Sequence, residues 1–257
     1  MMSKNIIVCG HGAGDPGAAD NGINERDFIR QELAPRIKKY SGGEIEIYDM
    51  SKNCYRETKD GRGIHSLKGK IVIEFHLDAA SKTSKGGHII FGAGLKADSL
   101  DNRLADVIKK HFGWRHDRAF HPRDNLLNAN TAKRIGVNYR LVEVCFVTNP
   151  TEVAYLKKNI DQIAKDFAEA ITNKVAAGSN KPSTSTPGKY RVYTGIFKTD
   201  EEAKKQAKLI GAKLGYKPFP KEKRVWTGVF NTLESAMTAQ QKISREFGFN
   251  PQIRKED

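Results

Sequence analysis

Four side chains in this sequence have the types and settings that hydrolytic chemistry uses: His11, Glu25, His76 and Glu143. Two imidazoles and one carboxylate can hold a catalytic metal such as zinc and leave the fourth position to water. A second carboxylate beside that water can take its proton and pass it to a leaving amine. Spacing does not decide the matter. There is no His-Glu-x-x-His, and a histidine at the end of a strand also reads as a hydrogen-bonded structural residue. Glu143 is harder to dismiss, because it stands between Val142 and Val144. A carboxylate buried there needs an ionic partner or a metal to offset its desolvation.

These residues must be positioned by an alternating set of elements. The short β-rich runs are Asn5–Cys9, Glu44–Tyr48, Lys70–Glu74, Gly87–Phe91 and Tyr139–Val144, several of them almost continuously apolar. Helical patterns lie between them at Asp27–Tyr40, Leu100–Phe112 and Thr151–Val175. Such alternation predicts an α/β domain whose largely parallel sheet is covered by helices on both faces. Functional groups in that architecture collect beyond the carboxyl ends of the strands. His11, His76 and Glu143 each sit at or just past the end of a run, and Gly12, Gly14 and Gly17 open a tight turn after the first.

The segment 178–188 is built from Ser, Thr, Pro, Gly, Asn and Lys with no large apolar residue, and reads as a flexible linker. Beyond it the chain repeats. Arg191–Thr199 matches Arg224–Thr232 at an offset of 33 residues, and the same offset relates Leu214–Pro218 to Phe247–Pro251. Each copy reads as strand, helix and short strand. Thr199 and Glu202 form a capping-box pattern, and Gly215 and Gly248 stand where helices end in a left-handed residue. Two such units predict a small α+β ferredoxin-like domain over 189–257.

The chain has 257 residues, enough for two ordinary domains, and a net charge of +14. Residues 189–257 hold 15 Lys and Arg against 8 Asp and Glu, so the last quarter carries half the surplus. Polyanions are the natural partners of such a chain: nucleic acid, anionic lipid or an anionic cell wall. A solvated basic surface fits the same numbers. Cys9, Cys54 and Cys145 are far apart and odd in number, which suggests reduced, buried thiols rather than a disulfide framework or a thiolate zinc site. No apolar run approaches the roughly 18 residues of a membrane span. The apolar stretch before Gly10 is short of the about 7–15 residues of a secretory signal, so synthesis in the cytoplasm without a signal peptide is expected.

The residues in the first 177 positions resemble the zinc-dependent N-acetylmuramoyl-L-alanine amidases of bacterial autolysins and phage endolysins. That family's His-Gly-Gly turn, Asp-x-Gly-Ala and pre-helical Glu look like His11-Gly12-Ala13, Asp15-Pro16-Gly17-Ala18 and Glu25. Its Ser-x-His-x-Asn-Ala looks like Glu74-Phe75-His76-Leu77-Asp78-Ala79, and its Glu-x-Gly-Phe-x-Ser-Asn looks like Glu143-Val144-Cys145-Phe146-Val147-Thr148-Asn149. Departures are Val8-Cys9 in place of Asp-Pro, Asp78 where Asn is common and Cys145 where Gly is common. The C-terminal duplication resembles the sporulation-related wall-binding repeats that some autolysins carry.

The resemblance implies a catalytic domain over 1–177, with zinc bound by His11, Glu25 and His76 and with Glu143 as the catalytic acid/base. It implies hydrolysis of the amide between N-acetylmuramic acid and L-alanine, with peptidoglycan and anionic wall polymers as partners. The enzyme is then expected to reach the wall after release by a holin or by lysis. Asp78, Lys133 and Arg134 are candidates for contact with the substrate, the two cations through stem-peptide carboxylates. The stretch from His111 to Arg123 reads as a basic, aromatic loop that either lines a groove or is plain surface. Tyr193, Phe197, Trp226 and Phe230, placed on one sheet face by even spacing, either stack on wall sugars or pack as core. Arg191, Thr194, Arg224 and Thr227 are then expected to face solvent. Two other functions compete: a zinc peptidase cutting the stem peptide, and a nucleic-acid-binding protein, which leaves the four-residue set without purpose.

Overall fold

A computed structural model of the chain describes residues 5–176 and 187–256. The chain divides into two compact units, Met1–Ser179 and Asn180–Asp257. Of the segment read as a linker, residues 178–186 lie outside the described residues, while Pro187 and Gly188 already belong to a strand.

In the first unit, strand β1 (Asn5–Cys9) is followed by a short hairpin of β2 (Ala19–Asp20) and β3 (Ile23–Asn24). Asn24 caps α1 (Glu25–Phe28), which runs through a π turn, Ile29–Leu33, into α2 (Ala34–Tyr40). Pro35 removes a backbone donor from this stretch. Then come β4 (Ile45–Ile47), α3 (Cys54–Lys59), a 3-10 turn over Gly63–Leu67, β5 (Ile71–Asp78) and β6 (His88–Ile90). The unit closes with α4 (Ser99–His111), α5 (Leu127–Ile135), β7 (Asn138–Phe146) and α6 (Pro150–Thr172). The helix α6 starts cleanly because Asn149 accepts from the amides of Thr151 and Glu152, and Pro150 needs no donor in the first turn.

The five-stranded sheet runs β4-β1-β5-β7-β6, parallel except for the edge strand β6. It is the expected α/β architecture. Both faces are buried, which is why β1, β5 and β7 are nearly continuous apolar runs. Ile7, Ile73, Phe75 and Val142 pack on one side against Ile29, Leu33, Leu104, Ile108 and Phe167 of the helices there. Ile6, Val72, Tyr139 and Leu141 pack on the other against Cys54, Ile64, Ala129 and Ala132. Alternation along the strands puts Glu74, His76, Glu143 and His88 on this second face, at the carboxyl end of the parallel strands.

The second unit is a small antiparallel sheet with two helices, as the repeat predicts. Its central strand β8 (Pro187–Tyr193) precedes α7 (Asp200–Leu214), β9 (Phe219–Lys221) and β10 (Arg224–Trp226), then β11 (Phe230–Thr232), α8 (Leu233–Phe247) and β12 (Gln252–Glu256). β8 pairs with β12, β10 and β11, and β10 pairs with β9. Tyr190, Val192 and Val225 bury under Ala207 and Ile210 of α7 and Ala236, Ala239 and Ile243 of α8.

The four aromatic residues expected on one face are divided between two. Phe197 and Phe230 pack against the core under the helices, and Phe197 lies beyond the end of β8. Tyr193 and Trp226 alternate with the core residues Val192 and Val225 and so take the opposite face, where their rings stack at 4.7 Å. Arg191 and Arg224 share that face: the Arg191 guanidinium lies over Phe219 and that of Arg224 over Tyr193. Thr194 and Thr227, expected in solvent, are buried. The hydroxyl of Thr194 accepts from the Val225 amide and that of Thr227 from the Val192 amide, so the two repeats clasp each other reciprocally.

Candidate active site

The turn after β1 presents His11 with a left-handed backbone, φ 61°. Arg30 holds this turn from the π segment by donating to the carbonyls of Cys9, Gly10 and His11 at 3.2, 2.6 and 2.8 Å. Two glycines are dictated by crowding here. A Cβ on Gly10 would fall inside the His76 imidazole, and one on Gly17 would lie 2.6 Å from a Glu25 carboxylate oxygen.

Glu25 opens α1 and is 3% exposed. Its Oε1 lies 2.8 Å from His76 Nδ1 and its Oε2 lies 3.1 Å from His11 Nε2. The amides of Leu77 and Ala18 donate to the same two oxygens. Burial opposes ionisation of Glu25, yet the hydrogen bonds from His11 and His76 outweigh it and hold the carboxyl well below the usual range. Burial likewise opposes charge on His76, but its hydrogen bonds to Glu25 and Glu74 hold its pKa well above the ordinary value.

One ligand atom from each of His11, Glu25 and His76 lies within 4.8 Å of the others. The outward nitrogens of both rings are engaged: His11 Nδ1 is 3.0 Å from Asp15 Oδ1, and His76 Nε2 is 3.1 Å from Glu74 Oε1. Two nitrogen donors and one carboxylate oxygen therefore converge with their other atoms already committed. That donor set fits a divalent metal of the zinc type, which would exchange for the protons now shared between the rings and Glu25.

Glu143 pairs with His76 in the β5–β7 register and points from the same sheet face. The partner expected for its carboxylate is missing: Oε2 is enclosed and has no hydrogen bond. Burial pushes its pKa up to about 8, with His76 pulling it down and Asp78 and Glu25 pushing it up. A carboxyl group tuned near neutrality can both accept and return a proton.

Around this centre the structure rearranges the candidate substrate contacts. Asp78 receives a hydrogen bond from Arg115 Nη1 at 2.8 Å. Arg115, with Lys85, His116, Trp114, Ser84 and Phe146, lines a cavity of about 340 Å³. Part of the basic, aromatic loop thus forms a pocket wall. His111 does not, since it is tied to Asp166 and Tyr155. Lys133 donates to the Ala93 carbonyl, Arg134 is exposed on α5, and neither bonds to a member of the cluster.

Sequence reasoning assigned no role to Asp15, Arg30, His88 or Glu74, and named Arg115 only as part of the loop that either lines a groove or is plain surface. Only Glu74 left a usable signal, standing two residues before His76 on the same face of one strand. His88 pairs with Glu143 across β6–β7, and its ring lies 4.6 Å from that of His121 at a tilt of 59°. Its Nδ1 is buried without a hydrogen-bond partner, 3.9 Å from Asp78 Oδ2, and burial, with His121 and Arg115 beside it, brings its pKa down to about 3.

Comparison with known proteins bears on the same span. The profile of the N-acetylmuramoyl-L-alanine amidases matches residues 6–173. The probable autolysin PH of Staphylococcus aureus is 39% identical over 203 residues, which is 72% of this chain but only 42% of that protein. The N-acetylmuramoyl-L-alanine amidase CwlM of Bacillus licheniformis is 24% identical over 218 residues, 82% of each chain. Among solved structures, the catalytic domain of the CD27L endolysin targeting Clostridia difficile is similar in fold, with a TM-score of 0.53 at 21% identity over 67% of this chain and 98% of that one. With the family profile covering well over half its length, from the second residue of β1 to just past the end of α6, this chain belongs to the N-acetylmuramoyl-L-alanine amidase family.

Proposed function

We propose that the chain is a zinc-dependent amidase that hydrolyses the bond between the lactyl group of N-acetylmuramic acid and L-alanine in peptidoglycan, and that its second unit holds it to the wall. One observation carries the catalytic reading: His11 Nε2 and His76 Nδ1 converge on the Glu25 carboxylate, near the Glu143 carboxyl group, whose Oε2 is buried without a hydrogen-bond partner. Zinc, when held by these three residues, supplies Lewis acidity and acidifies water.

The remaining roles belong to the chain. Asp15 orients His11 through its outer nitrogen. Glu143 takes the proton of the attacking water as the oxygen bonds to the lactyl carbonyl carbon. It then delivers that proton to the alanine nitrogen as the carbon–nitrogen bond breaks, leaving a lactyl carboxyl and a free L-alanine amine. The cavity beside Asp78 offers Arg115, Lys85 and His116 to carboxylates of the stem peptide. The face of the second sheet away from the helices carries Arg191, Arg224 and a half-buried Tyr193 stacked on the buried Trp226, a surface suited to sugar rings and anionic wall polymers. Among the described residues no helix is long and apolar enough to cross a membrane.

The test is the purified protein on Gram-positive cell walls, with and without a chelator, followed by identification of new termini. Zinc-restorable release of intact stem peptides beginning with L-alanine is the expected result. Severed stems identify a peptidase instead, and walls left intact under every condition overturn the enzyme reading.

A further inference from the structure

We propose that Glu74 is a positioning residue for metal capture, holding His76 with its N–H on Nε2 so that Nδ1 is free to face Glu25 and His11. The inference rests on the metal reading above and adds a residue to it. Glu74 and His76 are two apart on β5 and share a face, and Glu74 Oε1 lies 3.1 Å from His76 Nε2. The other carboxylate oxygen, Oε2, receives the Tyr139 hydroxyl at 2.6 Å and the Asn128 side-chain amide at 2.9 Å. Both of these groups act as donors, so Oε1 remains the acceptor for His76.

The clamp is built from three elements. Tyr139 comes from β7, Asn128 from α5 and Glu74 from β5, and all three side chains are buried. Asn128 keeps its N–H on Glu74 although its own Oδ1 then has no partner. A turned amide would instead set one oxygen against another. The carboxylate therefore cannot swing away from the ring without stranding two donors, each a buried group that is costly to leave unpaired. Gly10 leaves the imidazole just enough room on the side of the β1 turn.

A neutral imidazole carries one N–H. In the metal-free site both nitrogens share protons with carboxylates, Nδ1 with Glu25 and Nε2 with Glu74. A cation that takes the place of the Nδ1 proton leaves the one N–H where Glu74 holds it, at Nε2. A carboxylate in this place also raises the basicity of the ligating nitrogen. The Ser-x-His pattern that the second motif resembles has no carboxylate at this position, so the device belongs to the Glu74-Phe75-His76 variant of the strand.

The test measures zinc affinity of the full chain by competition with a chelating indicator. Glu74→Gln keeps the shape and removes the charge, Glu74→Ala removes the acceptor, and Tyr139→Phe breaks the same network on its far side. Both Glu74 variants are expected to bind zinc about 10–100-fold more weakly. Tyr139→Phe, which removes one of the two donors that fix Oε2, is expected to weaken zinc binding by less than either Glu74 variant. Imidazole nitrogen NMR of the zinc-loaded protein should show His76 protonated on Nε2. Folded Glu74→Gln protein with zinc affinity within twofold of the unmodified chain overturns the proposal and leaves the metal site standing. An unmodified chain that binds no zinc overturns both.

Discussion

Glu25 and Glu143 are carboxyl groups of one site pushed in opposite directions. Glu25 is held ionised by two imidazoles, while burial lifts Glu143 to about 8. A pair separated in this way divides the labour, with the ionised member suited to a cation and the other to moving protons. Glu143→Gln should keep about one zinc per chain and lower turnover by about 10²–10⁴-fold, whereas His76→Ala should lose the metal. Metal content by elemental analysis, beside turnover of a soluble muropeptide, separates the two, and a Glu143→Gln chain within tenfold of normal turnover removes Glu143 from the chemistry. His11 and His76 were legible as polar groups closing apolar runs and Glu143 as a carboxylate inside one. Glu25, following Asn24 at the start of a helix, stood out through the motif it resembles. Arg115 was legible only as one residue of a basic, aromatic loop, and Arg30 not at all, because their partners, Asp78 and the Cys9–His11 carbonyls, lie far away in sequence and are set by packing. Lys133 offered the same charge as Arg115, but its partner is the Ala93 carbonyl.

Elements with continuous apolar runs were readable from the sequence, and those with other logic were not. β1, β5 and β7 fall where the runs predict because both sheet faces are covered. The hairpin β2–β3 has two residues per strand and α3 only six in all, too short for a period to emerge. In the first repeat the β-branched and aromatic run continues to Phe197, but β8 ends at Tyr193, and the buried Thr194 that follows accepts from the Val225 amide. The edge strand β6 brings a cost with it. It buries His88 at 2% exposure, neutral, with a pKa of about 3 against an ordinary 6.5. Below pH 6.5 the unfolded chain takes up this proton and the folded one does not, so the contribution is full above that pH and drains away as pH falls toward 3. Between pH 7 and 4 this one residue should cost about 3 kcal/mol. Urea unfolding of His88→Phe should show a flatter loss across that window, and identical acid sensitivity in the two chains would show that His88 is not its source.

At the scale of the whole molecule, one chain holds two chemically different regions: the His11–Glu25–His76 cluster proposed as a hydrolytic centre and a basic sheet face bearing Tyr193. Residues 189–257 carry 15 basic against 8 acidic residues. On the open face the cations are not scattered, since Arg191 and Arg224 lie over the aromatic rings of Phe219 and Tyr193. Such a face gains from stacking, which salt hardly touches, and from attraction to anions, which salt screens within about 10 Å at 0.1 M. Tethering raises the local concentration of substrate without altering the chemical step. Tyr193→Ala and Arg224→Glu should therefore both weaken sedimentation with insoluble walls and slow wall lysis, while turnover of a soluble muropeptide stays unchanged. Raising salt to about 0.5 M should weaken binding of the unmodified chain and narrow its advantage over Arg224→Glu, but not its advantage over Tyr193→Ala. If both variants sediment with walls as the unmodified chain does at every salt concentration, this face is not what holds the enzyme to its substrate. If soluble turnover falls with them, the second unit acts on catalysis itself rather than on attachment.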